Sequence, residues 1–430
     1  MITRDDTMIN VLGERKYESP LRTSGFVNEN KRVLVEIERD IILEQMQSTD
    51  DVLSFENAGP RKKLFFDPGS TSAAIVTCGG LCPGINNVIQ GIARMLQFQY
   101  GVKRVLGVRY GFEGLVPEYR HDFVELTLDY VQDLHEKGGT VLGSSRGYQD
   151  EKIIVDTLVR EKIDILFVIG GDGSLRGAHD IYREITKREL PISIVGVPKT
   201  IDNDIWFMDK TFGFSTAVST ATQSIYAAHT EAIGAKNGIG LVKVMGRDSG
   251  FIASYVTLAS NDVNYVFIPE VPFKLHEKGG FLENLHYRLK RRGHAVIVVA
   301  EGAGQEYFDG PEGKDASGNP KYKDIGQFMK ETIKEYFAPM NIPVTIKYID
   351  NSYTIRSVPA LPDDAVYCMM LAQNAVHGAM AGKTGFVVGS WHSYFTYIPL
   401  PLVTRKRKRM NPEGYLWSMV KQSTCQPEFC

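Results

Sequence analysis

The residues of this sequence that are best suited to chemistry lie in short turns that follow β-branched runs. One turn, residues 170–174 (Gly-Gly-Asp-Gly-Ser), follows the run 164–169. Glycines let a backbone approach phosphate closely, and a helix that begins here offers N–H groups and the positive end of its dipole. Asp172 would repel a phosphate in direct contact, so its presence favours Mg²⁺ between carboxylate and phosphate oxygens. The alternative is an ordinary strand–helix turn with Ser174 as the helix cap.

Two further glycine turns follow the same pattern. Residues 78–84 (Cys-Gly-Gly-Leu-Cys-Pro-Gly) end the first predicted strand, and residues 143–147 form a polar turn. Two glycine loops on neighbouring strand ends would enclose one polyphosphate. Arg146 is a candidate to neutralise charge on a transferring phosphoryl group. Cys78 and Cys82 are interpreted as small buried residues.

A pair of carboxylates follows another β-branched run. Residues 198–204 read Pro-Lys-Thr-Ile-Asp-Asn-Asp, which places Asp202 and Asp204 two residues apart with Lys199 and Thr200 beside them. One carboxylate could accept a hydroxyl proton while the other orients it or reaches a metal. An Asx-rich turn without chemistry is the alternative for this segment alone.

A second series of turns carries residues suited to a sugar phosphate. The segment 245–250 (Met-Gly-Arg-Asp-Ser-Gly) and Glu301 each follow a predicted strand, and Tyr353 and Arg356 lie three apart in a polar stretch. Arginine binds phosphate through its planar fork, and Glu and Tyr suit sugar hydroxyls. Each residue alone could belong to a surface ion pair, whereas together they indicate a sugar-phosphate pocket.

Alternating strands and helices must position these turns. We expect strands at 73–77, 104–108, 165–169, 192–197, 239–244, 263–268 and 295–299. Helices are expected at 214–233 and 363–381. The pattern predicts an α/β protein with two doubly wound, Rossmann-like parallel-sheet domains, an N-terminal extension and a C-terminal tail. The predicted ranges are 1–69 for the extension (with one helix near 31–47), 70–210 for the first domain, joined by about 360–400, 211–355 for the second, and 401–430 for the tail.

Composition limits the class of protein. The chain has 430 residues, of which 43% are hydrophobic, with 49 Lys and Arg against 51 Asp and Glu. This is typical of a folded protein of two or three domains, and the near-neutral charge gives no electrostatic basis for binding nucleic acid or a membrane. Five cysteines without a Cys-x-x-Cys pair favour a reducing, cytoplasmic compartment. No apolar run approaches the ~20 residues of a membrane helix.

Two other segments are interpreted as structural. Residues 405–409 (Arg-Lys-Arg-Lys-Arg) are expected to form a solvated tail rather than a nucleic-acid contact. Residues 382–384 (Gly-Lys-Thr) are similar to the end of a P-loop, but His377 stands where that motif requires Gly, so we expect a helix end before a strand. The histidines form no clustered metal pattern, and none is assigned a metal.

Taken in order, these turns resemble the phosphofructokinase family. The match comprises the GGDGS turn, the PKTIDND segment, the Met-Gly-Arg turn, Glu301 and the Tyr353–Arg356 pair, and it covers about residues 72–395. The long termini are similar to those of the longer ATP-using branch of plants, protists and some bacteria. The resemblance implies an allosteric glycolytic enzyme, a homodimer or homotetramer, that transfers the γ-phosphoryl group of ATP to the 1-hydroxyl of fructose 6-phosphate.

The resemblance also implies roles for individual residues. Asp202 would accept the hydroxyl proton with Asp204 at its side, Arg146 would assist catalysis, and Asp172 would hold Mg²⁺. The first domain would bind ATP through Gly80, Arg146, Gly147, Gly171, Asp172, Gly173 and Ser174. The second domain and the PKTIDND segment would hold fructose 6-phosphate through Thr200, Ile201, Asp202, Met245, Gly246, Arg247, Glu301, Tyr353, Thr354, Ile355 and Arg356.

Two positions bear on the phosphoryl donor. Lys199 stands where small bacterial ATP enzymes of the family have Gly and diphosphate-dependent members have Lys. Gly173 stands where diphosphate users have Asp, and glycine leaves a path for the α-phosphate and nucleoside of ATP. We therefore expect ATP, with a diphosphate-dependent enzyme as the alternative. A non-catalytic nucleotide-binding subunit or a Rossmann-type dehydrogenase is disfavoured, because each catalytic role has its residue and no Gly-x-Gly-x-x-Gly follows a strand.

Overall fold

The computed structural model describes residues 2–48, 52–314 and 320–429. The chain forms two compact units, each assembled from separate stretches of sequence. Unit 1 comprises Met1–Thr200, Ile205–Gly213 and Val358–Arg407. Unit 2 comprises Ile201–Asp204, Phe214–Ser357 and Lys408–Cys430.

Unit 1 is built on a mixed sheet whose centre is parallel. The five central strands, from Phe386–Trp391 to Arg104–Val108, pair in parallel, and antiparallel strands extend both edges. The strand order across the sheet is Arg32–Leu34, Ser54–Asn57, Tyr394–Pro399, Phe386–Trp391, Ser193–Pro198, Ile165–Gly170, Ser72–Thr77, Arg104–Val108, Val124–Glu125. Central strands such as Ile165–Gly170 are buried at every residue, because helices cover both faces.

Along the chain, the helices of unit 1 alternate with these strands or follow them. The α-helices are Arg39–Ser48, Ile85–Arg94, Leu128–Val131, Glu151–Arg160, Asp172–Lys187, Pro362–Met380 and Leu400–Val403. Short strands pair Asn10–Val11 with Lys383–Thr384 and Tyr17–Glu18 with Lys63–Leu64. A π-helical turn, Met95–Tyr100, continues the helix Ile85–Arg94.

Unit 2 has a parallel four-stranded sheet. Its strand order is Tyr265–Phe267, His294–Ala300, Gly238–Val244, Thr345–Asp350. The helices are Phe214–Ile233, Phe251–Ser260, Phe281–Arg292, Ile325–Phe337, Thr354–Ser357 and Tyr415–Thr424. The segment after residue 407 packs into this unit, because Phe429 is buried in its core and the Gln426 side chain accepts a hydrogen bond from the backbone N–H of Val266.

The predicted strands and long helices are present, and the α/β fold class is confirmed. The seven predicted strands differ from the observed ones by at most two residues at either end, and the helix Phe214–Ile233 has the predicted bounds. The helix expected near 31–47 is wrong in its first part, where the strand Arg32–Leu34 precedes the helix Arg39–Ser48. Pairing with Ser54–Asn57 at the edge of the sheet overrides the weak helical pattern.

Within unit 1, an ion cluster with two buried cations connects residues 29–61 to Lys383. The Arg61 guanidinium pairs with Glu56 at 2.7 Å and with Glu29 at 3.0 Å, and the Lys383 ammonium lies 2.5 Å from Glu56. Both cationic side chains are 2% exposed. The Gly-Lys-Thr segment 382–384 follows the helix Pro362–Met380 and begins the strand Lys383–Thr384, as predicted. Lys383 is the lysine of the ion cluster.

Candidate active site

Three glycine turns meet at the carboxyl ends of the parallel strands of unit 1. The N–H of Gly79 donates to the carbonyl of Ser145 at 3.1 Å, and the Ser144 hydroxyl donates to the Gly79 carbonyl at 2.6 Å. The loop that begins at Cys78 is thereby joined to the turn that contains Arg146 and Gly147. Cys78 and Cys82 are buried free thiols, as predicted. Burial raises the pKa of the Cys78 thiol to about 12, so this sulfur stays protonated.

The GGDGS turn connects the strand Ile165–Gly170 directly to the helix Asp172–Lys187. Gly171 is the N-cap residue, so the interpretation of Ser174 as the cap is wrong; Ser174 lies within the first turn. A Cβ on Gly170 would lie 2.2 Å from the Ser174 Cβ, which explains the glycine there. Gly173 differs, because it is exposed and a Cβ at this position would meet nothing within 4 Å. Open space therefore lies beside the helix N-terminus.

Asp172 carries the negative charge of this turn. Its Oδ2 atom lies 2.9 Å from a terminal guanidinium nitrogen of Arg176 and 3.0 Å from Nε of Arg407, and the side chain is only 8% exposed. Among the described residues no group of three or more His, Cys, Asp or Glu could hold a metal. A single carboxylate is nevertheless the donor set of a Mg²⁺ ion that is bound mainly through phosphates and water. The turn therefore fits a Mg²⁺–polyphosphate, whereas it could not form an all-protein metal cage.

Lys199 joins two of these loops. Its side chain is 4% exposed, its ammonium donates to the Gly80 carbonyl at 2.7 Å, and its backbone N–H donates to the Gly170 carbonyl at 3.0 Å. The neighbouring Thr200 carbonyl accepts a hydrogen bond from the Thr211 hydroxyl. Lys199 thus connects the Gly80 loop to the end of the strand Ile165–Gly170.

The paired-carboxylate turn, Ile201–Asp204, is part of unit 2. The Ser249 hydroxyl donates to the Asp202 carbonyl at 3.0 Å, and the Lys408 backbone N–H donates to the Asp204 carbonyl at 2.8 Å. Asn203, between the two carboxylates, has φ of 54°, a left-handed conformation that Asn adopts more readily than most residues. The turn is fixed by backbone contacts on both sides of this residue.

Neighbouring strands of unit 2 bring the Met-Gly-Arg turn against Glu301. The N–H of Glu301 donates to the Val244 carbonyl at 2.9 Å, and the N–H of Gly302 donates to the Gly246 carbonyl at 3.1 Å. Gly246 has φ of 128°, and a Cβ there would lie 2.5 Å from the Ser249 carbonyl oxygen, so only glycine allows this close turn.

Glu301 sits among cationic side chains. Burial raises the pKa of its carboxyl group, while the positive charges of Arg247, Lys243 and Arg356 act in the opposite direction. Its Oε1 atom is buried and makes no hydrogen bond within the described chain. A buried acceptor of this kind suits a ligand hydroxyl, because an unsatisfied polar atom costs roughly 1–3 kcal/mol.

The remaining predicted sugar-phosphate residues follow the strand Thr345–Asp350. Tyr353 is 74% exposed, and the Arg356 guanidinium lies 4.8 Å from the centre of its ring. Arg247 contacts the Pro320 carbonyl and lies 5.0 Å from the Tyr322 ring centre. Ile201 and Ile355 are buried, with 5% and 0% of their surface exposed.

The structure corrects one prediction about charge. The run 405–409 is not a solvated tail, because Arg407 pairs with Asp172 in unit 1 and Lys406 lies 4.0 Å from the Trp206 ring centre. In unit 2 the Lys408 ammonium lies 5.0 Å from the Phe251 ring centre. Local sequence could not identify Asp172 as the partner of Arg407, because basic runs also occur on solvated surfaces.

Comparison with known proteins finds relatives that align with this chain over most of the length of both proteins. Residues 72–379 match the phosphofructokinase family. An ATP-dependent 6-phosphofructokinase of Borreliella burgdorferi is 49% identical, with 98% of this chain and 97% of the relative covered. The ATP-dependent 6-phosphofructokinase 1 of Arabidopsis thaliana is 45% identical, with 96% and 88% covered. A crystal structure of a pyrophosphate-dependent phosphofructokinase from Marinobacter aquaeolei has the same fold, with a TM-score of 0.67, 22% identity, and 83% and 92% covered.

Proposed function

The chain belongs to the phosphofructokinase family, and from that premise we propose that it transfers the γ-phosphoryl group of ATP to the 1-hydroxyl of fructose 6-phosphate. The products are fructose 1,6-bisphosphate and ADP. The observation that carries this proposal is the meeting of three glycine turns with the Asp172 helix N-terminus in unit 1. Relatives at 45–49% identity whose names specify ATP support the same donor.

Unit 1 is the proposed ATP site. The loop at Gly80, the turn at Arg146 and Gly147, and the turn Gly171–Ser174 supply backbone N–H groups, a guanidinium and a helix N-terminus to the phosphates. Open space at Gly173 accommodates the nucleotide. Asp172 would hold Mg²⁺, which when bound shields the phosphate charges and favours departure of ADP.

Unit 2, with the turn Ile201–Asp204, is the proposed acceptor site. Arg247 and Arg356 bind the sugar phosphate, and the buried Oε1 of Glu301 accepts a hydrogen bond from a sugar hydroxyl. The Asp202 carboxylate accepts the proton of the 1-hydroxyl as that oxygen bonds to the γ-phosphorus and the bond to the β-phosphate oxygen breaks. Asp204 and Thr200 assist Asp202, and Arg146 neutralises charge on the phosphoryl group in flight.

Diphosphate is the alternative donor, and Lys199 is the residue that suggests it. The buried ammonium of Lys199 donates to the Gly80 carbonyl, a structural use that fits either donor. Gly173 favours ATP, because a carboxylate at this exposed position would repel the α-phosphate. The pyrophosphate-dependent structure is similar at 22% identity and supports the fold alone.

Three further proposals concern the cellular compartment, the oligomeric state and the regulation of the enzyme. It works in the cytoplasm, since buried free thiols at Cys78, Cys82 and Cys368 suit a reducing compartment. It assembles as a homodimer or homotetramer, and an effector regulates it. No helix among the described residues is long and apolar enough to cross a membrane. Cell fractionation and light scattering of the purified protein test the first two points.

The test of the proposed function is direct identification of products. Purified protein is incubated with fructose 6-phosphate and Mg-ATP, and the products are followed by ³¹P NMR. We expect signals of ADP and of a sugar with a second phosphate at the 1-position, and the Asp202→Asn variant should form them far more slowly. Absence of sugar phosphorylation with either ATP or diphosphate would refute the proposal.

A further inference from the structure

Asn351 is a buried polar residue directly after the strand Thr345–Asp350. The residue is 1% exposed, and neither Oδ1 nor Nδ2 of its amide makes a hydrogen bond with any described residue. Its backbone, in contrast, is paired. The N–H donates to the Lys243 carbonyl at 3.4 Å, and the carbonyl accepts from the Thr354 hydroxyl at 3.1 Å and the Ile355 N–H at 3.3 Å. The amide group therefore adds no hydrogen bond to this turn.

An amide buried in this way lowers the stability of the fold. Burial separates its donor and acceptor from water, and without protein partners that cost is not recovered. An aliphatic side chain of similar size, such as leucine, would fill the space without the cost. Natural proteins keep such groups chiefly at functional sites, so the position of Asn351 in the fold indicates what its amide is for.

Asn351 shares a sheet edge with another buried polar group that lacks a partner. In unit 2 the strand Gly238–Val244 lies between the strands that end at Asp350 and Ala300. Asn351 follows one of these outer strands, and Glu301, whose buried Oε1 makes no hydrogen bond with a described residue, follows the other. Neighbouring strands are about 4.8 Å apart, so the two residues lie about 10 Å apart. A six-carbon sugar phosphate is large enough to meet both side chains.

We propose that Asn351 is a further binding residue for the sugar phosphate. This inference rests on the proposed function, which assigns this edge of unit 2 to fructose 6-phosphate. An amide carries an acceptor oxygen and two N–H donors. Its Oδ1 accepts a hydrogen bond from a sugar hydroxyl, and its Nδ2 donates to a sugar or phosphate oxygen. The ligand thereby supplies both of the partners that the described chain does not.

Binding at Asn351 requires a local movement, because both amide atoms are closed to solvent. The short helix Thr354–Ser357 begins on the Asn351 carbonyl and carries Arg356, the proposed phosphate anchor. Tyr353, just before this helix, is 74% exposed and so is not held by core packing. The segment 352–357 is therefore the element that shifts when Arg356 binds the phosphate, and the shift opens the amide to the sugar.

The experiment measures sugar binding and stability in the same variants. Isothermal titration of the full-length protein with fructose 6-phosphate, without ATP, gives Kd, and melting curves without ligand give the stability. Asn351→Leu should raise Kd about 5- to 50-fold, because it removes the hydrogen bonds to the ligand. Its melting temperature should be unchanged or higher, because the buried amide is gone. Asn351→Ala, which is too small to clash with its neighbours, should weaken binding to a similar extent.

Asn264 offers a matched control in unit 2, because its amide is paired. Its Oδ1 accepts from the Val296 N–H at 2.8 Å, so Asn264→Leu should lower the melting temperature and leave Kd unchanged. Wild-type Kd in Asn351→Leu would overturn the proposal. Weak binding and a lower melting temperature in both Asn351 variants would also overturn it, since the amide would then support the fold. If Asn351→Leu weakens sugar binding but the wild type phosphorylates no sugar, the proposed function is refuted and this inference stands.

Discussion

Replacing Gly173 with Asp should lower the activity with ATP without lowering the stability of the fold. A Cβ at this position meets nothing within 4 Å, and the residue lies in the first turn of the helix Asp172–Lys187. An acidic residue in a first turn is favoured by the helix dipole and has no worse helix propensity than glycine, so we expect stability to be unchanged or higher by up to about 1 kcal/mol. The melting temperature should therefore not fall.

The effect on ATP use should be large. If the added carboxylate lies about 6 Å from the α-phosphate of bound ATP, its repulsion at an effective dielectric constant of about 20 would cost roughly 2.8 kcal/mol, which is about a 100-fold loss in kcat/KM for ATP. Gly173→Asn has the same shape without the charge and isolates the steric part. The assay is steady-state kinetics with ATP and with diphosphate, and full ATP activity in Gly173→Asp would refute the reasoning.

Five other substitutions test the proposed base, the sugar-phosphate residues, the buried glutamate and the buried ion cluster. Asp202→Asn should lower kcat by roughly 10²–10⁴-fold with little change in the KM for the sugar, measured by steady-state kinetics. Arg247→Ala and Arg356→Ala should raise the KM for fructose 6-phosphate and leave that for ATP unchanged. Burial raises the pKa of Glu301, so the folded state holds this proton more tightly than the unfolded state. The stability of the wild type relative to Glu301→Gln should therefore fall as pH rises from about 4.5, as melting curves can measure. Lys383→Met removes one of the two cations on buried Glu56 and leaves Arg61 in place, so it should cost roughly 1–3 kcal/mol in urea unfolding, with kcat retained under native conditions.

Each of these expectations has an outcome that contradicts it. Near-normal turnover of Asp202→Asn would remove the proposed base, and a change confined to the KM for ATP would place Arg247 and Arg356 on the wrong ligand. A pH-independent difference between wild type and Glu301→Gln would show that burial does not perturb this carboxyl group. Loss of ATP binding in Lys383→Met, with normal stability, would return residues 382–384 to the P-loop interpretation.

Much of the fold could be predicted from local sequence because the parallel strands are buried on both faces. Their β-branched runs end at glycine turns, and this pattern located the strand Ile165–Gly170 and its neighbours to within two residues. The strand Arg32–Leu34 could not be found in this way. It exists because it pairs with Ser54–Asn57, a tertiary contact that local pattern does not encode.

Some residues of the proposed site could likewise be selected from local sequence, and others could not. Glycines and carboxylates adjacent to strand ends, such as Gly171 and Asp202, could be selected because strand ends of a parallel sheet share one edge. Arg407 could not be assigned to Asp172, since 235 residues separate them and a basic run also occurs on solvated surfaces. The link between Lys199 and donor preference, which the family resemblance implies, stays a prediction, and its hydrogen bond to the Gly80 carbonyl is a contact that local sequence does not encode.

The most direct test of the central claim is a comparison of phosphoryl donors. Purified wild-type protein is assayed with fructose 6-phosphate and Mg²⁺, once with ATP and once with diphosphate, and kcat/KM is measured for each donor. Because Gly173 leaves the nucleotide path open, we predict efficient turnover with ATP and little or none with diphosphate. A higher kcat/KM with diphosphate than with ATP would contradict the account.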